Sequence, residues 1–187
     1  MASQFHVERC ADEAMFDRLL ALGDDFLVRT ASMGAEELRA RFRRCPDAFH
    51  CVLRRTETHD GLVGYFILLP INEKCRDAVH RGLIMAGRDI QLSDLAESGN
   101  DTAAMYLSVV CAIGPRAQSA AIEGVIATLR EIYSRMNVRQ LFARAATETG
   151  ARMLERLSRT RFEADGRIHS IDMAEYELIT APAQPKR

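Results

Sequence analysis

Three side chains with chemistry of their own interrupt one apolar run, Met105–Ile113 (MYLSVVCAI): Tyr106, Ser108 and Cys111. A phenol can hold or move a proton, a hydroxyl can donate and accept hydrogen bonds, and a thiol can attack as its thiolate. A run this apolar reads as a strand buried on both faces. Period two then puts Tyr106 and Ser108 on one face and Cys111 on the other. Tyr106 and Ser108 are the catalytic candidates, with Tyr106 first as an acid/base or substrate-contacting residue. The competing reading of Tyr106 is a buried tyrosine with a satisfied hydroxyl. Cys111 has no histidine near it in sequence and reads as core. His50, in the strand-like AFHCVLRR, and His80 are further candidate bases, because imidazole titrates near neutrality. A lone histidine is more often structural or exposed than a base.

Immediately after the run comes Gly114-Pro115-Arg116, a break that ends the strand. From Gln118 the period changes. Ile122, Val125, Ile126, Leu129 and Ile132 share one helix face. The turn is crowded with small residues, namely Ala117, Ser119, Ala120 and Ala121. Small side chains leave first-turn amides uncovered at the positive end of the helix dipole, which suits a phosphate. They equally suit close packing of helix on sheet in a plain βα unit.

Other elements must position this unit. Phe5–Arg9 reads as a first strand. Asp12 caps a helix with Met15, Phe16, Leu19, Leu20 and Leu22 on its apolar face. A break over Thr30–Gly34 precedes a second helix, Glu36–Arg44, with Leu38 and Phe42 inward and Pro46 after its end. Ala48–Arg55 and Leu62–Ile71 read as an antiparallel hairpin around His59-Asp60-Gly61, with Gly64 marking a bulge or a close backbone approach. The connection 72–101 is longer than a hairpin needs and fits a lid, a binding loop or an edge-covering insertion. In it, Cys75, Val79 and Leu83 suggest a helix, and Ile90, Leu92 and Leu95 a short strand or turn. Leu141–Ala146 follows its helix directly, so it should run parallel to Met105–Ile113 through a right-handed crossover. The two strands are expected to separate near Ile113, leaving a cleft. Thr147 or Thr149 then caps a short helix with Met153, Leu154 and Leu157 on its apolar face. Phe162–Asp165 and Ile168–Leu178 form strands around an Asp165-Gly166 turn.

At 187 residues the chain is long enough for one domain with a sizeable core, expected over residues 1–180, with a flexible polar tail at 181–187. Charge is balanced, 25 Lys+Arg against 26 Asp+Glu, which argues against bulk attraction to nucleic acid or membrane surfaces. No apolar stretch approaches the ~20 residues of a membrane span, and MASQFHVERC lacks the regions of a signal peptide. Five cysteines (Cys10, Cys45, Cys51, Cys75, Cys111) without CxxC spacing read as reduced thiols of a cytoplasmic protein. Neither they nor the histidines show zinc-ligand spacing, so no metal is expected.

The order β-α-α-β-β-(insertion)-β-α-β-α-β-β is an α/β arrangement, a mostly antiparallel mixed sheet with one parallel, splayed pair. With its central strand–turn–helix it resembles the GNAT superfamily of N-acyltransferases over nearly the whole chain. That family carries Arg/Gln-x-x-Gly-x-Gly/Ala after its fourth strand. The match here is Arg116-Ala117-Gln118-Ser119-Ala120-Ala121, with Ser119 in place of the middle glycine. The resemblance implies acetyl-CoA or another acyl-CoA as cosubstrate, its pyrophosphate on the amides of Arg116, Ala117, Gln118, Ser119, Ala120 and Ala121. It also implies a bulge in the fourth strand that aims an amide at the thioester oxygen, a role falling to Val110, Cys111, Ala112 and Ile113. The helix after the fifth strand opens with Asn in the family and carries a Tyr that protonates the CoA thiolate, and Gly-Phe follows it. Here Thr147, Leu154 and Arg161-Phe162 stand near those positions. A leucine cannot be a general acid.

The resemblance therefore implies an N-acyltransferase moving an acetyl group to the primary amine of a small molecule or peptide. The alternative is a catalytically impaired GNAT-like domain that binds acyl-CoA or another ligand as a sensor or interaction module. A third role falls to 72–101 as a contact for a partner or for a second copy in a homodimer.

Overall fold

The computed structural model describes residues 4–26, 33–56, 60–97, 101–136, 138–145, 147–148, 150, 154 and 168–173. Six strands form one sheet in the order β1-β2-β3-β4-β5-β6: Gln4–Arg9, Phe49–Arg55, Asp60–Ile71, Ala104–Ala112, Gln140–Arg144 and Ile168–Asp172. Every neighbouring pair is antiparallel except β4–β5, which is parallel. The 22-residue helix α4, Pro115–Met136, makes the crossover between those two. It packs on one sheet face, burying Ala121, Val125 and Leu129 with Phe66, Leu68, Met105 and Leu107. The other face is covered by α1 (Glu13–Phe26), α2 (Ala35–Arg44), α3 (Glu73–His80) and the segment that follows α3. There Phe16 stacks on Phe42, and both meet Phe49 edge-on, with centroids 4.6–5.6 Å apart.

Local chemistry places the ends of these elements. Asp12 Oδ1 accepts from the Met15 amide at the start of α1, and Asn72 Oδ1 accepts from Cys75 N at the start of α3. Gly64 sits where an added Cβ would lie 2.7 Å from Ala112 Cβ, so the close approach read from sequence is real. Beside it, β2 and β3 slip by one residue at Val63.

Several expectations need correction. The helix α3 ends at His80, and Leu83 beyond it is 67% exposed. Of the strand or turn expected around Ile90, Leu92 and Leu95, the turn is found: two single 3-10 turns, Gly87–Asp89 and Leu92–Asp94, with Ile90 and Leu95 buried and Leu92 exposed. Among the described residues one isolated bridge, Ile71 to Leu95, ties that segment to the end of β3 as a strand would. The helix α4 begins at Pro115, three residues before Gln118. Proline lacks an amide proton and has a helical φ, so it serves as the first helical residue as well as a strand terminator. The expected strand Phe162–Asp165 and its turn, residues 181–187, Met153 and Leu157 lie outside the described residues.

Candidate active site

The parallel pairing of β4 and β5 lasts three residues, Met105–Leu107 against Leu141–Ala143. From Ser108 onward β4 runs on to Ala112 without β5. The strands thus part at Ser108, well before Ile113. On its other edge β4 carries an extra residue at that same point. Ile67 pairs with Val109 and Leu68 with Leu107, so Ser108 is bulged out. A one-residue bulge inverts the alternation beyond it. Tyr106 and Cys111 consequently share a face, opposite Leu69 and Tyr65 on β3. This corrects the period-two placement of Cys111, and it moves the bulge from Val110–Ile113 to Ser108. The Ile113 amide is already committed, donating to Val63 O at 2.8 Å.

Over the bulge lies a chamber of about 360 Å³. Tyr65, Ile67, Tyr106, Ser108 and Val109 come from the sheet, Leu20 and Asp24 from α1, Leu38 from α2, and Arg144 from the end of β5. The segment Ala86-Gly87-Arg88 forms its roof. Gly87 touches the bulge. A Cβ there would sit 3.0 Å from Ser108 Cβ and closer still to Ser108 Oγ. The roof is pinned from beneath by Arg41, which is 1% exposed. Its Nη1 donates to Gly87 O at 2.8 Å, and its Nη2 donates to Ile90 O, to Arg88 O at 3.4 Å and to Glu37 Oε1 at 3.0 Å. Burial lowers the Arg41 pKa, and Glu37 opposes that shift. Asp89 Oδ2 accepts from Met85 N and Ala86 N, closing the roof's turn.

Tyr106 and Ser108 both line this chamber. Cys111 is buried, and burial raises its thiol pKa, so it stays protonated and reads as packing. His50 is on the opposite sheet face, stacked on Phe66 at 4.5 Å, with Nδ1 3.3 Å from Ala48 O. It lines a separate 240 Å³ cavity beside α4. His80 is exposed on α3 and meets Gln140. Neither histidine is brought to the bulge.

Beyond the parting of the strands, Val110 and Ile113 are exposed (36% and 46%), and Ala112 is half-buried. Gly114 has φ +81°, a conformation that favours glycine, and it turns the chain into α4. Gln118 N donates to Gly114 O at 3.0 Å, the first intrahelical bond. The amides without an intrahelical partner are therefore those of Gly114, Arg116 and Ala117. Those of Ser119, Ala120 and Ala121 lie inside the helix. Arg116, Gln118 and Ser119 are exposed, Ala117 and Ala121 are buried, and Ala120 packs against the α4-side core. Arg116–Ala121 are thus the first turns of the helix.

Leu154 is 3% exposed and belongs to the α4-side core. Thr147 Oγ1 accepts from Gly150 N at 3.0 Å, one of the two caps expected there.

Tyr65, Arg144, Arg41 and Gly87 escaped the sequence reading. Arg41 alone carried a signal. With Leu38, Phe42 and Cys45 it repeats at i, i+3, i+4 and i+7, the inward face of α2. A guanidinium on that face needs buried acceptors.

A six-stranded mixed sheet whose single parallel pair parts at a bulge, with a helix starting where the bulged strand ends, is the fold of the GNAT superfamily. Solved structures with this fold match the chain. One is the loading GNATL domain of CurA from Lyngbya majuscula (TM-score 0.53, 14% identity, 76% of this chain), of which the chain spans only 65%. Another is a GNAT-like decarboxylase, GphF, in complex with isobutyryl-CoA (0.55, 16% identity, 82% of this chain and 72% of that one). A third is an acetyltransferase of the GNAT family from Listeria monocytogenes (0.52, 15% identity, 92% and 98%). No protein-family model and no curated protein sequence matches the chain.

Proposed function

We propose that the chain is an acyl-CoA-dependent N-acyltransferase, acting on the primary amine of a small molecule. The observation that carries this reading is the coincidence at Ser108 of the bulge, the parting of β4 from β5 and the floor of the chamber. A thioester lying in the gap would have its carbonyl against the bulged backbone, where an amide can stabilise the developing oxyanion. The amine in the chamber attacks the carbonyl carbon. The C–N bond forms, the C–S bond breaks, the nitrogen loses a proton and the CoA thiolate gains one. Asp24 is the carboxylate in the chamber lining among the described residues, and it is the candidate to receive the amine's proton, through water. Burial raises the Tyr65 phenol pKa, so it remains neutral and serves as a hydrogen-bonding group. The pyrophosphate falls to the Gly114, Arg116 and Ala117 amides, with the Arg116 side chain beside them.

A second reading, binding without turnover, draws on Leu154, whose burial leaves an apolar side chain where the family keeps its tyrosine acid. A CoA thiolate, with a thiol pKa of roughly 8.5, is nevertheless a tolerable leaving group unassisted. Titration calorimetry with acetyl-CoA and CoA, followed by thiol release in the presence of an amine panel, separates the two. Arg116→Glu, at an exposed site on the first turn, should weaken CoA binding about 3–30-fold by replacing a cation with an anion that competes for the positive end of the helix dipole. An unchanged affinity would remove the helix start as the phosphate site.

A further inference from the structure

The chamber carries cations that acyl transfer does not by itself require. Arg88 and Arg144 reach its lining, against the single carboxylate of Asp24 among the described residues. Arg144 is half-buried at the end of β5. Its Nη1 donates to Met85 O at 2.9 Å, a neutral acceptor. Among the described residues it makes no ion pair, whereas Arg9, Arg39, Arg43, Arg44 and Arg76 each meet a carboxylate within 3.2 Å. A guanidinium has five donors in a planar fork, and one bond to a carbonyl leaves the fork available to a planar, bidentate anion. Arg88 stands on the roof two residues from Ala86, half-exposed and paired with Asp89 Oδ1 at 3.8 Å. The roof that carries it is fixed to α2 by buried Arg41 and rests on Ser108 through Gly87. Both cations are thus held around the residue where the strands part. At about 360 Å³ the chamber is at the small end of ligand pockets. Beside the polar Tyr65, Tyr106 and Ser108, its walls carry the apolar Leu20, Leu38, Ile67 and Val109.

We propose that Arg144, seconded by Arg88, holds a carboxylate of the acceptor, so that the acceptor is an amino acid with an apolar side chain. The word acceptor rests on the acyl-transfer reading, but carboxylate binding at Arg144 does not. The first test therefore needs neither CoA nor turnover. N-acetyl-L-leucine, the anion such a reaction would produce, is titrated against the wild type and Arg144→Leu by ligand-observed NMR. The neutral N-acetyl-L-leucine amide is the control. The anion should bind the wild type about 10–100-fold more tightly than the amide does, and Arg144→Leu should erase the difference. Arg144→Lys should restore part of it. Equal binding of anion and amide by the wild type, or a preference that survives in Arg144→Leu, overturns the proposal. The second test compares L-leucine with 3-methylbutylamine, the same amine without the carboxylate, as acceptors from acetyl-CoA. Wild type should prefer L-leucine in kcat/KM, and Arg144→Leu should lower that preference through the L-leucine KM. If carboxylate binding follows Arg144 while neither amine is acylated, the acyl-transfer reading fails and the anion site stands. If instead Arg144→Leu weakens malonyl-CoA binding and leaves the N-acetyl-L-leucine preference intact, the carboxylate belongs to the donor and the proposal fails.

Discussion

Replacing Arg41 with methionine should loosen the roof of the chamber. Methionine keeps an unbranched stem of similar reach and removes the charge. Three carbonyls, Gly87 O, Arg88 O and Ile90 O, then lose their donor. A hydrogen bond from a charged donor is worth ~1.5–3 kcal/mol, and two of the three are close, so the gross loss is ~3–6 kcal/mol by the same scale. The pair with half-exposed Glu37 adds at most about 1 kcal/mol, because solvent screens it. Against this, the guanidinium no longer has to be buried, which returns part of a desolvation cost of several kcal/mol. The net destabilisation should be ~2–4 kcal/mol. In a chain of this size each kcal/mol lowers Tm by about 2–4 °C, so the drop is about 5–15 °C. Calorimetry measures it, and hydrogen exchange localises it. The amides of Asp89, Ile90 and Leu95, which close the two 3-10 turns, should lose protection more than those of β2 and β3. Arg41→Met melting within about 2 °C of wild type, with roof protection unchanged, would falsify the idea that this arginine holds the roof.

Gly87→Ala pushes a methyl into Ser108 Oγ and should lower stability by ~1–3 kcal/mol as well as impair any transfer activity. The double variant with Ser108→Gly should recover most of the stability loss, and a strictly additive double-mutant cycle would show that the two do not touch. Leu154→Tyr should be destabilising by ~1–3 kcal/mol, because the site is packed, and should not speed CoA release. Faster release with an unchanged Tm would show instead an open vacancy for an acid. His50 is held below its ordinary pKa of 6.5, chiefly by burial. Well above pH 6.5 the imidazole is neutral whether folded or not, and its contribution to stability is complete. As pH falls below that, the unfolded chain takes up a proton that the folded one resists, so stability declines until the lower folded pKa is passed. Denaturant titrations from about pH 7.5 to 5 should show this decline, and His50→Gln should flatten it. An identical slope in the variant would assign the pH dependence to other groups.

Much of the frame was legible from residue pattern. The apolar run with Tyr106, the Pro115 break and the periodic face around Val125 and Leu129 defined the parallel unit, because period and punctuation act within a few residues. Asp12, Thr147 and Gly64 were readable for the same reason: a cap or a close approach is local chemistry. Tertiary structure alone decided the site. The bulge at Ser108 arises from how β4 aligns with β3, a register that no single strand encodes, and it reversed the face on which Cys111 lies. Leu154 is in the core because α4 and the sheet close over it. Arg144 and Tyr65 read as ordinary strand residues. They become chamber walls only when the end of β5, the middle of β3 and the roof at 86–88 are brought together, across sequence separations that periodicity does not span. His50 had the right side chain and the wrong face: alternation within β2 turned it toward α4, where burial keeps it neutral.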